Sequence, residues 1–104
     1  MAAAKQKTQQ VISDHAVVVF SKSYCPYCTA TKNLLTLEGA DFYTMELDQV
    51  DDGAAIQNAL EEITHQRTVP NIFIKQKHIG GNFDLQARKG ELKSLLKEAG
   101  ALKA

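Results

Sequence analysis

Tryptophan is absent from this sequence, cysteine and proline each occur twice, and the charges cancel, with 12 lysines and arginines against 12 aspartates and glutamates. A chain without net charge has no strong overall field that would attract nucleic acid or an anionic membrane. No apolar run approaches the roughly 20 residues that a membrane-spanning helix needs, and the opening "MAAAKQKTQQ" lacks the apolar region of a secretory signal. We therefore expect neither a nucleic-acid nor a membrane partner.

The scarcity of cysteine also limits the class of fold. Two cysteines are too few for a disulfide scaffold, which favours a reducing compartment, most simply the cytoplasm. The length of 104 residues fits one domain, and the 44% of residues that are hydrophobic can supply one core. We expect residues 1–104 to form a single domain.

The apolar pattern changes its period along the chain, which predicts alternating strands and helices. Residues 16–20 form a continuous, largely β-branched run, typical of a strand buried on both faces. The segment 26–38 begins with Pro26 and contains no further proline and no glycine. Gly39 follows it, so the segment is predicted to be a helix. A looser alternation over residues 41–47 predicts a second strand, parallel to the first through a right-handed crossover.

The second half of the sequence predicts a helix, a hairpin and a helical end. Asp51 and Asp52 can cap a helix whose apolar residues recur at i, i+4 and i+7. Short apolar runs on both sides of residues 75–77 predict an antiparallel hairpin. Residues 91–99 predict the last helix, and we expect Gly90 to separate it from the helix before it. With a weaker helix ahead of the first strand, the order is α-β-α-β-α-β-β-α-α.

The only two cysteines lie three residues apart, in "SYCPYC". A closed zinc site needs about four ligands. Since His15, His65 and His78 do not have zinc-finger spacing to the pair, we expect them on the solvated surface and predict no metal site. A structural disulfide between Cys25 and Cys28 would close a very short loop, where the entropic stabilisation is small.

A redox role fits the placement of the pair best. Cys25 follows the loop after the first strand and opens the helix at Pro26, where free backbone N–H groups and the helix dipole favour a thiolate. Lys22 adds a nearby cation. Cys28 lies almost one turn further, where it could resolve a mixed disulfide on Cys25. Because a Cys-x-x-Cys beside a βαβ unit is typical of thioredoxin-like sites, we predict an α/β thioredoxin-like fold, with a four-stranded mixed sheet flanked by helices.

Three segments, "SKSYCPYC", "QRTVPNIFI" and "HIGGNFDL", occur in the order found in glutaredoxins. Over nearly its whole length the chain resembles the dithiol class of that family, with its Cys-Pro-Tyr-Cys centre, and it looks closest to fungal members. Thioredoxins, related by fold, typically carry Trp-Cys-Gly-Pro-Cys. The resemblance implies a glutathione-dependent thiol–disulfide oxidoreductase, with glutathione as co-substrate and no tightly bound cofactor.

The resemblance also implies which residues bind glutathione. Lys22 and Arg67 would hold its glycine carboxylate, with Gln57 assisting, and a cis bond before Pro70 would turn the Val69 backbone toward the tripeptide. Amides at the start of a helix would receive the γ-glutamyl carboxylate, and the Asp84 side chain its ammonium. The full predicted set is Lys22, Tyr27, Gln57, Arg67, Thr68, Val69, Pro70, Gly81, Phe83 and Asp84. We expect Tyr27 to flank the site and Tyr24 to pack locally.

Three residues depart from the pattern of close relatives. His65 and Gln76 stand where glycine, or an Asn-Gly turn, is usual, and both bear on stability. Phe83 replaces a small or acidic residue beside the γ-glutamyl site, where its backbone role can survive while its ring crowds or covers the ligand.

The function implied by the resemblance is reduction of protein–glutathione mixed disulfides and protein disulfides by a monomer, with Cys25 as nucleophile, Cys28 as resolving cysteine and glutathione reductase as an indirect partner. One alternative is a glutathione-ligated iron–sulfur cluster carrier. Most cluster binders carry Cys-Gly-Phe-Ser, and Pro26 argues against that class. The other alternative is a thioredoxin-type reductant supplied by a flavoprotein.

Overall fold

Nine elements follow one another in the computed structural model, which describes residues 2–103. They are α1 (Ala2–Asp14), β1 (Val17–Ser21), α2 (Pro26–Leu37), β2 (Tyr43–Glu46), α3 (Gly53–Thr64), β3 (Asn71–Ile74), β4 (Lys77–Gly80), α4 (Asn82–Ala87) and α5 (Lys89–Glu98). The predicted order of helices and strands is confirmed. Over the same residues, none of the helices has both the length and the apolarity to cross a membrane.

The four strands form one mixed sheet in the order β2-β1-β3-β4. β1 pairs in parallel with β2, as the predicted crossover requires, and antiparallel with β3. β3 and β4 form the predicted hairpin. Helices pack on both faces of the sheet, so the fold is the thioredoxin-like α/β fold expected from the sequence.

β1 is the central strand whose side chains alternate between two cores. Val17 and Val19 pack with α2, α4 and α5, whereas Val18 and Phe20 pack with α1 and α3. All four are at most 1% exposed, which explains why the run is apolar at every position instead of every second one. Their main helical partners are Leu35, Leu85, Leu92 and Leu96 in the first core, and Ile12, Ile56 and Leu60 in the second.

Three chain segments meet at the edge of the sheet where β1 ends. Phe20, near the end of β1, pairs with Asn71, the first residue of β3. Ile72 in turn pairs with Gly80, the last residue of β4. The loop after β1, the loop before β3 and the start of α4 therefore reach the same edge, and these segments carry most of the predicted site residues.

Two local expectations are wrong. Asp52 directly precedes α3, but its side chain does not cap that helix. Its carboxylate instead accepts a hydrogen bond from Lys7 Nζ of α1 at 2.8 Å. Gly90 lies inside α5, and the break between α4 and α5 falls at Arg88.

Left-handed backbone occurs at two of the three positions that depart from the family pattern. In the hairpin turn, Lys75 has φ 52° and Gln76 has φ 65°. A two-residue turn of this kind needs positive φ at both positions, where a Cβ is disfavoured. His65 has φ 61° at the end of α3, so this position also takes a positive φ.

We expect Gln76→Gly to raise the free energy of unfolding by up to about 1 kcal/mol, because glycine adopts this conformation without the steric cost. The urea midpoint measures the change. Gln49→Gly, in the exposed turn after β2 at a residue without positive φ, is the matched control and should not stabilise. A Gln76→Gly midpoint that stays constant or falls would argue against a strained turn.

Candidate active site

Cys25 occupies the N-cap position of α2, with extended backbone. Its Sγ accepts a hydrogen bond from the Cys28 backbone N–H at 3.3 Å and lies 3.8 Å from the carbonyl oxygen of Val69. The Cys25 N–H donates to the Lys22 carbonyl at 3.1 Å, which fixes the turn before the helix. The sulfur is half-buried and lies at the positive end of the helix dipole, where negative charge is stabilised.

Cys28 is the inner member of the pair. Its side chain is fully buried. Burial, together with the hydrogen bond to Cys25, raises the pKa of the Cys28 thiol to about 11. Both cysteines are free thiols. An accessible Cys25 therefore stands in front of a protonated, shielded Cys28, which is the placement that their predicted roles require.

A cleft of about 550 Å³ opens on the Lys22 side of Cys25. Lys22 is half-buried in its wall and Arg67 is exposed there. Two cations beside the nucleophile suit a carboxylate ligand, as predicted. The lining residues are Lys22, Tyr24, Cys25, Pro26, Gln57, Arg67, Thr68 and Val69.

Side chains of α3 hold Arg67 in place. Its Nη1 donates to Asn58 Oδ1 at 2.6 Å and to Glu61 Oε1 at 3.1 Å. Gln57 donates Nε2 to the carbonyl oxygen of Arg67 at 2.8 Å. Gln57 therefore fixes the backbone that carries the cation, in addition to its predicted part in binding the carboxylate.

A second cleft of about 370 Å³ adjoins the first. Thr68 and Val69 line both clefts. The Val69–Pro70 peptide bond is cis, as predicted. The lining residues are Tyr27, Gln66, Thr68, Val69, Pro70, Gly81, Asn82, Phe83 and Asp84. Every residue predicted to contact glutathione thus lines one of the two clefts, although their binding roles stay predictions.

Asp84 lines the second cleft and caps α4. Its Oδ2 accepts a hydrogen bond from the Gly81 N–H at 2.8 Å. Gly80 has φ 119°, and a Cβ there would lie 2.4 Å from Asp84 Oδ2. Glycine at position 80 therefore leaves room for the carboxylate, while the neighbouring Gly81 has an ordinary φ of −100°.

Two exposed aromatic rings line the second cleft. Tyr27 and Phe83 have ring centroids 5.2 Å apart and are 54% and 70% exposed. Tyr27 therefore flanks the site, as expected. Tyr24 is 71% exposed, so the expectation that it packs locally is wrong. Phe83 lies against Tyr27 at the rim of the second cleft.

The glutaredoxin family model matches residues 17–79, from the start of β1 into β4. This chain belongs to the glutaredoxin family. A glutaredoxin from Ricinus communis is 54% identical over 101 residues, which cover 95% of this chain and 99% of the relative. The crystal structure of a buckwheat glutaredoxin–glutathione complex matches with a TM-score of 0.94 and 47% identity, over 98% of this chain and 94% of that one.

Members of this family are glutathione-dependent oxidoreductases, and this chain is an enzyme of that class. The expected closeness to fungal members is not supported. Glutaredoxin-2 of Schizosaccharomyces pombe is 49% identical over 82 residues, covering 79% of this chain and 74% of the relative. The Ricinus communis protein is more similar, over a longer alignment.

Sequence reasoning missed two polar residues that support the site. Thr31 of α2 donates its buried hydroxyl to Asn82 Oδ1 at 2.9 Å, linking the helix that begins after Cys25 to the start of α4. Gln66 donates its side-chain amide to the loop before β3. Gln66 lies within a segment that carried the family resemblance, but nothing in the sequence shows where its amide points.

The difference between the two thiols predicts selective alkylation. Iodoacetamide at pH 7 should modify Cys25 alone, because Cys28 is shielded and, with a pKa of about 11, remains protonated. Labelling of Cys28 should accelerate only as the pH approaches 11, where its thiolate forms. Peptide mass spectrometry measures both sites, and denatured protein serves as the control in which both react. Equal labelling of the native pair at pH 7 would contradict this assignment.

Proposed function

We propose that the enzyme reduces protein–glutathione mixed disulfides and protein disulfides, with Cys25 as nucleophile and Cys28 as resolving thiol. The observation that carries the proposal is the accessible sulfur of Cys25 at a helix N terminus, in the wall of a cleft that a second cleft adjoins, and backed by the buried thiol of Cys28. The glutathione complex of the buckwheat relative supports the same ligand here.

The two clefts suit the charged groups of glutathione, which has two carboxylates, one ammonium group and one thiol. Lys22 and Arg67 would bind the glycine carboxylate at one end. The backbone of Val69 would pair with the tripeptide in the middle, as a short added strand. At the other end, amides of Phe83 and Asp84 would receive the γ-glutamyl carboxylate, and the Asp84 carboxylate would accept from the ammonium group.

Reduction of a mixed disulfide needs only Cys25. Its thiolate attacks the glutathione sulfur, the sulfur–sulfur bond to the target protein breaks, and the target leaves as a thiolate that takes up a proton. Cys25 now carries glutathione. The thiolate of a second glutathione attacks the sulfur of the glutathione that is bound to Cys25. This step releases glutathione disulfide and restores the Cys25 thiolate.

Reduction of a protein disulfide uses both cysteines. Cys25 attacks one sulfur of the target and forms a mixed disulfide with it, and the other target sulfur leaves as a thiol. Cys28 loses its proton and attacks the Cys25 sulfur, which releases the second target thiol. The resulting Cys25–Cys28 disulfide is reduced by two glutathiones, which become glutathione disulfide.

A coupled assay tests the proposal directly. The enzyme, a glutathionylated peptide, glutathione, glutathione reductase and a nicotinamide cofactor should give saturable turnover. Thioredoxin reductase in place of glutathione and its reductase should give little. The reverse preference would overturn the proposal in favour of a thioredoxin-type reductant. Glutathione reductase as the cellular partner, the cytoplasmic location and the monomeric state stay predictions.

Removing either cation should weaken substrate binding. Lys22→Ala and Arg67→Ala should each raise the KM for the glutathionylated peptide roughly ten- to hundredfold, because a charge-assisted hydrogen bond is lost. Arg67 is exposed and its ion pair with Glu61 contributes little to folding, so the urea midpoint should change little. Arg88→Ala removes an arginine paired with Glu91 outside both clefts and is the matched control. Unchanged KM values in both test variants would show that Lys22 and Arg67 do not bind the substrate and are ordinary surface cations.

A further inference from the structure

The side-chain amide of Gln66 spans the loop before β3. Its Nε2 donates to the carbonyl oxygen of Thr68 at 3.1 Å and to that of Pro70 at 3.0 Å. Because an amide nitrogen carries two protons, one side chain can satisfy both carbonyls together. Gln66 thus clamps the loop on both sides of Val69.

Val69, between the two clamped residues, presents its carbonyl to the reaction centre. Its oxygen lies 3.8 Å from Cys25 Sγ. The carbonyl of Arg67, two residues earlier, is also taken by a side-chain amide, that of Gln57 at 2.8 Å. With the carbonyls of residues 67, 68 and 70 turned to glutamine side chains, that of Val69 faces the nucleophile instead.

Gln66 is itself anchored at its backbone. Its N–H donates to Thr64 Oγ1 at 3.1 Å, and this hydroxyl donates to the Leu60 carbonyl of α3 at 2.8 Å. His65, in left-handed conformation, turns the chain out of the helix between them. The side chain of Gln66 is half-buried in the wall of the second cleft. Both the backbone and the side chain of Gln66 are therefore held in place.

We propose that Gln66 is a positioning residue that aligns the Val69 peptide group for backbone pairing with the glutathione part of the substrate. Its described hydrogen bonds go to the loop and to Thr64 and do not involve either cysteine. It therefore acts through Val69 and not on the reacting sulfurs. The inference rests on the proposed function, since it requires glutathione to lie against Val69.

The test compares two mixed disulfides of one peptide, with glutathione and with 2-mercaptoethanol. Mercaptoethanol has no peptide group that could pair with Val69. Gln66→Met keeps the length of the side chain and removes its donors, so KM for the glutathionylated peptide should rise roughly five- to tenfold, the loss expected for about one hydrogen bond. The kcat of Gln66→Met for the glutathionylated peptide should change little. Its kcat/KM for the mercaptoethanol substrate should also change little.

Two further variants sharpen the comparison. Gln66→Glu places a carboxylate against two carbonyl oxygens and should raise the same KM more than Gln66→Met does. Gln10→Met is the matched control, since it removes an amide that donates to Asp14 at 2.7 Å from an exposed position of α1. Gln10→Met should leave KM and kcat for both substrates unchanged. Urea unfolding and the rate of Cys25 alkylation by iodoacetamide report on folding and on the nucleophile.

The outcomes separate the two levels of the proposal. If wild type prefers the glutathionylated peptide but Gln66→Met keeps that preference and its KM, the role of Gln66 is wrong and the proposed function stands. Equal losses on both substrates, or loss of folding in both Gln66 variants, would mean a structural role and also overturn the inference. A wild-type enzyme that does not discriminate between the substrates would overturn the proposed function, and the inference with it.

Discussion

Replacing Cys25 with serine should abolish reduction of both mixed disulfides and protein disulfides. A serine hydroxyl remains protonated at neutral pH and is a far weaker nucleophile than a thiolate. The hydrogen bond from the Cys28 N–H, now 3.3 Å from the sulfur, can be kept by an oxygen at the N-cap, so the fold should survive. The coupled assay measures activity, and the urea midpoint should remain near that of wild type.

Cys28→Ser is the matched variant, because it makes the same exchange one helical turn further in. It should keep reduction of the glutathionylated peptide, and this rate should rise because the internal disulfide no longer competes. It should lose most reduction of substrates that need the dithiol route. If Cys28→Ser lost the mixed-disulfide reaction while Cys25→Ser kept it, the nucleophile would be the wrong cysteine. The helix N terminus would then not determine which thiol attacks.

Features fixed by neighbouring residues could be predicted from the sequence. The central strand was recognisable because a strand buried on both faces is apolar at each position, as Val17 to Phe20 are. The hairpin was recognisable from the short apolar runs on both sides of residues 75–77, and its two-residue turn requires the positive φ found at Gln76. The residues predicted to bind glutathione came from the family resemblance, and the structure adds that they line two adjoining clefts.

Features that depend on distant contacts could not be predicted. Asp52 has the right type and place for a helix cap, but Lys7, 45 residues away, binds its carboxylate. The direction of the Gln66 amide depends on how the loop before β3 folds back. The exposure of Tyr24 could not be predicted, because the sequence of a short loop does not show which residues, if any, cover an aromatic side chain. In each case the local sequence allows two outcomes, and tertiary geometry selects one.

The role of Gly53 also depends on a contact that the local sequence does not show. Its replacement should have the largest effect on stability. It is the buried first residue of α3, and in the sequence it is merely a glycine after two aspartates. In the structure, a Cβ at this position would lie 1.8 Å from the carbonyl oxygen of Leu47 and 2.8 Å from its carbonyl carbon. Both atoms are backbone, so no side-chain rotation can relieve the overlap, and α3 would have to move away from the end of β2.

We therefore expect Gly53→Ala to lower the free energy of unfolding by about 3 kcal/mol, the upper range for overpacking. A domain of this size should then melt roughly 12–24 °C lower. Gly90→Ala is the matched control, since position 90 of α5 is exposed and a Cβ there meets no atom within 4 Å. It should stabilise by about 0.5 kcal/mol, as alanine does in a helix. Equal melting temperatures for the two variants would contradict the close approach of α3 to Leu47. The effect should reach the site as well, because α3 carries Gln57 and leads into the loop that holds Arg67.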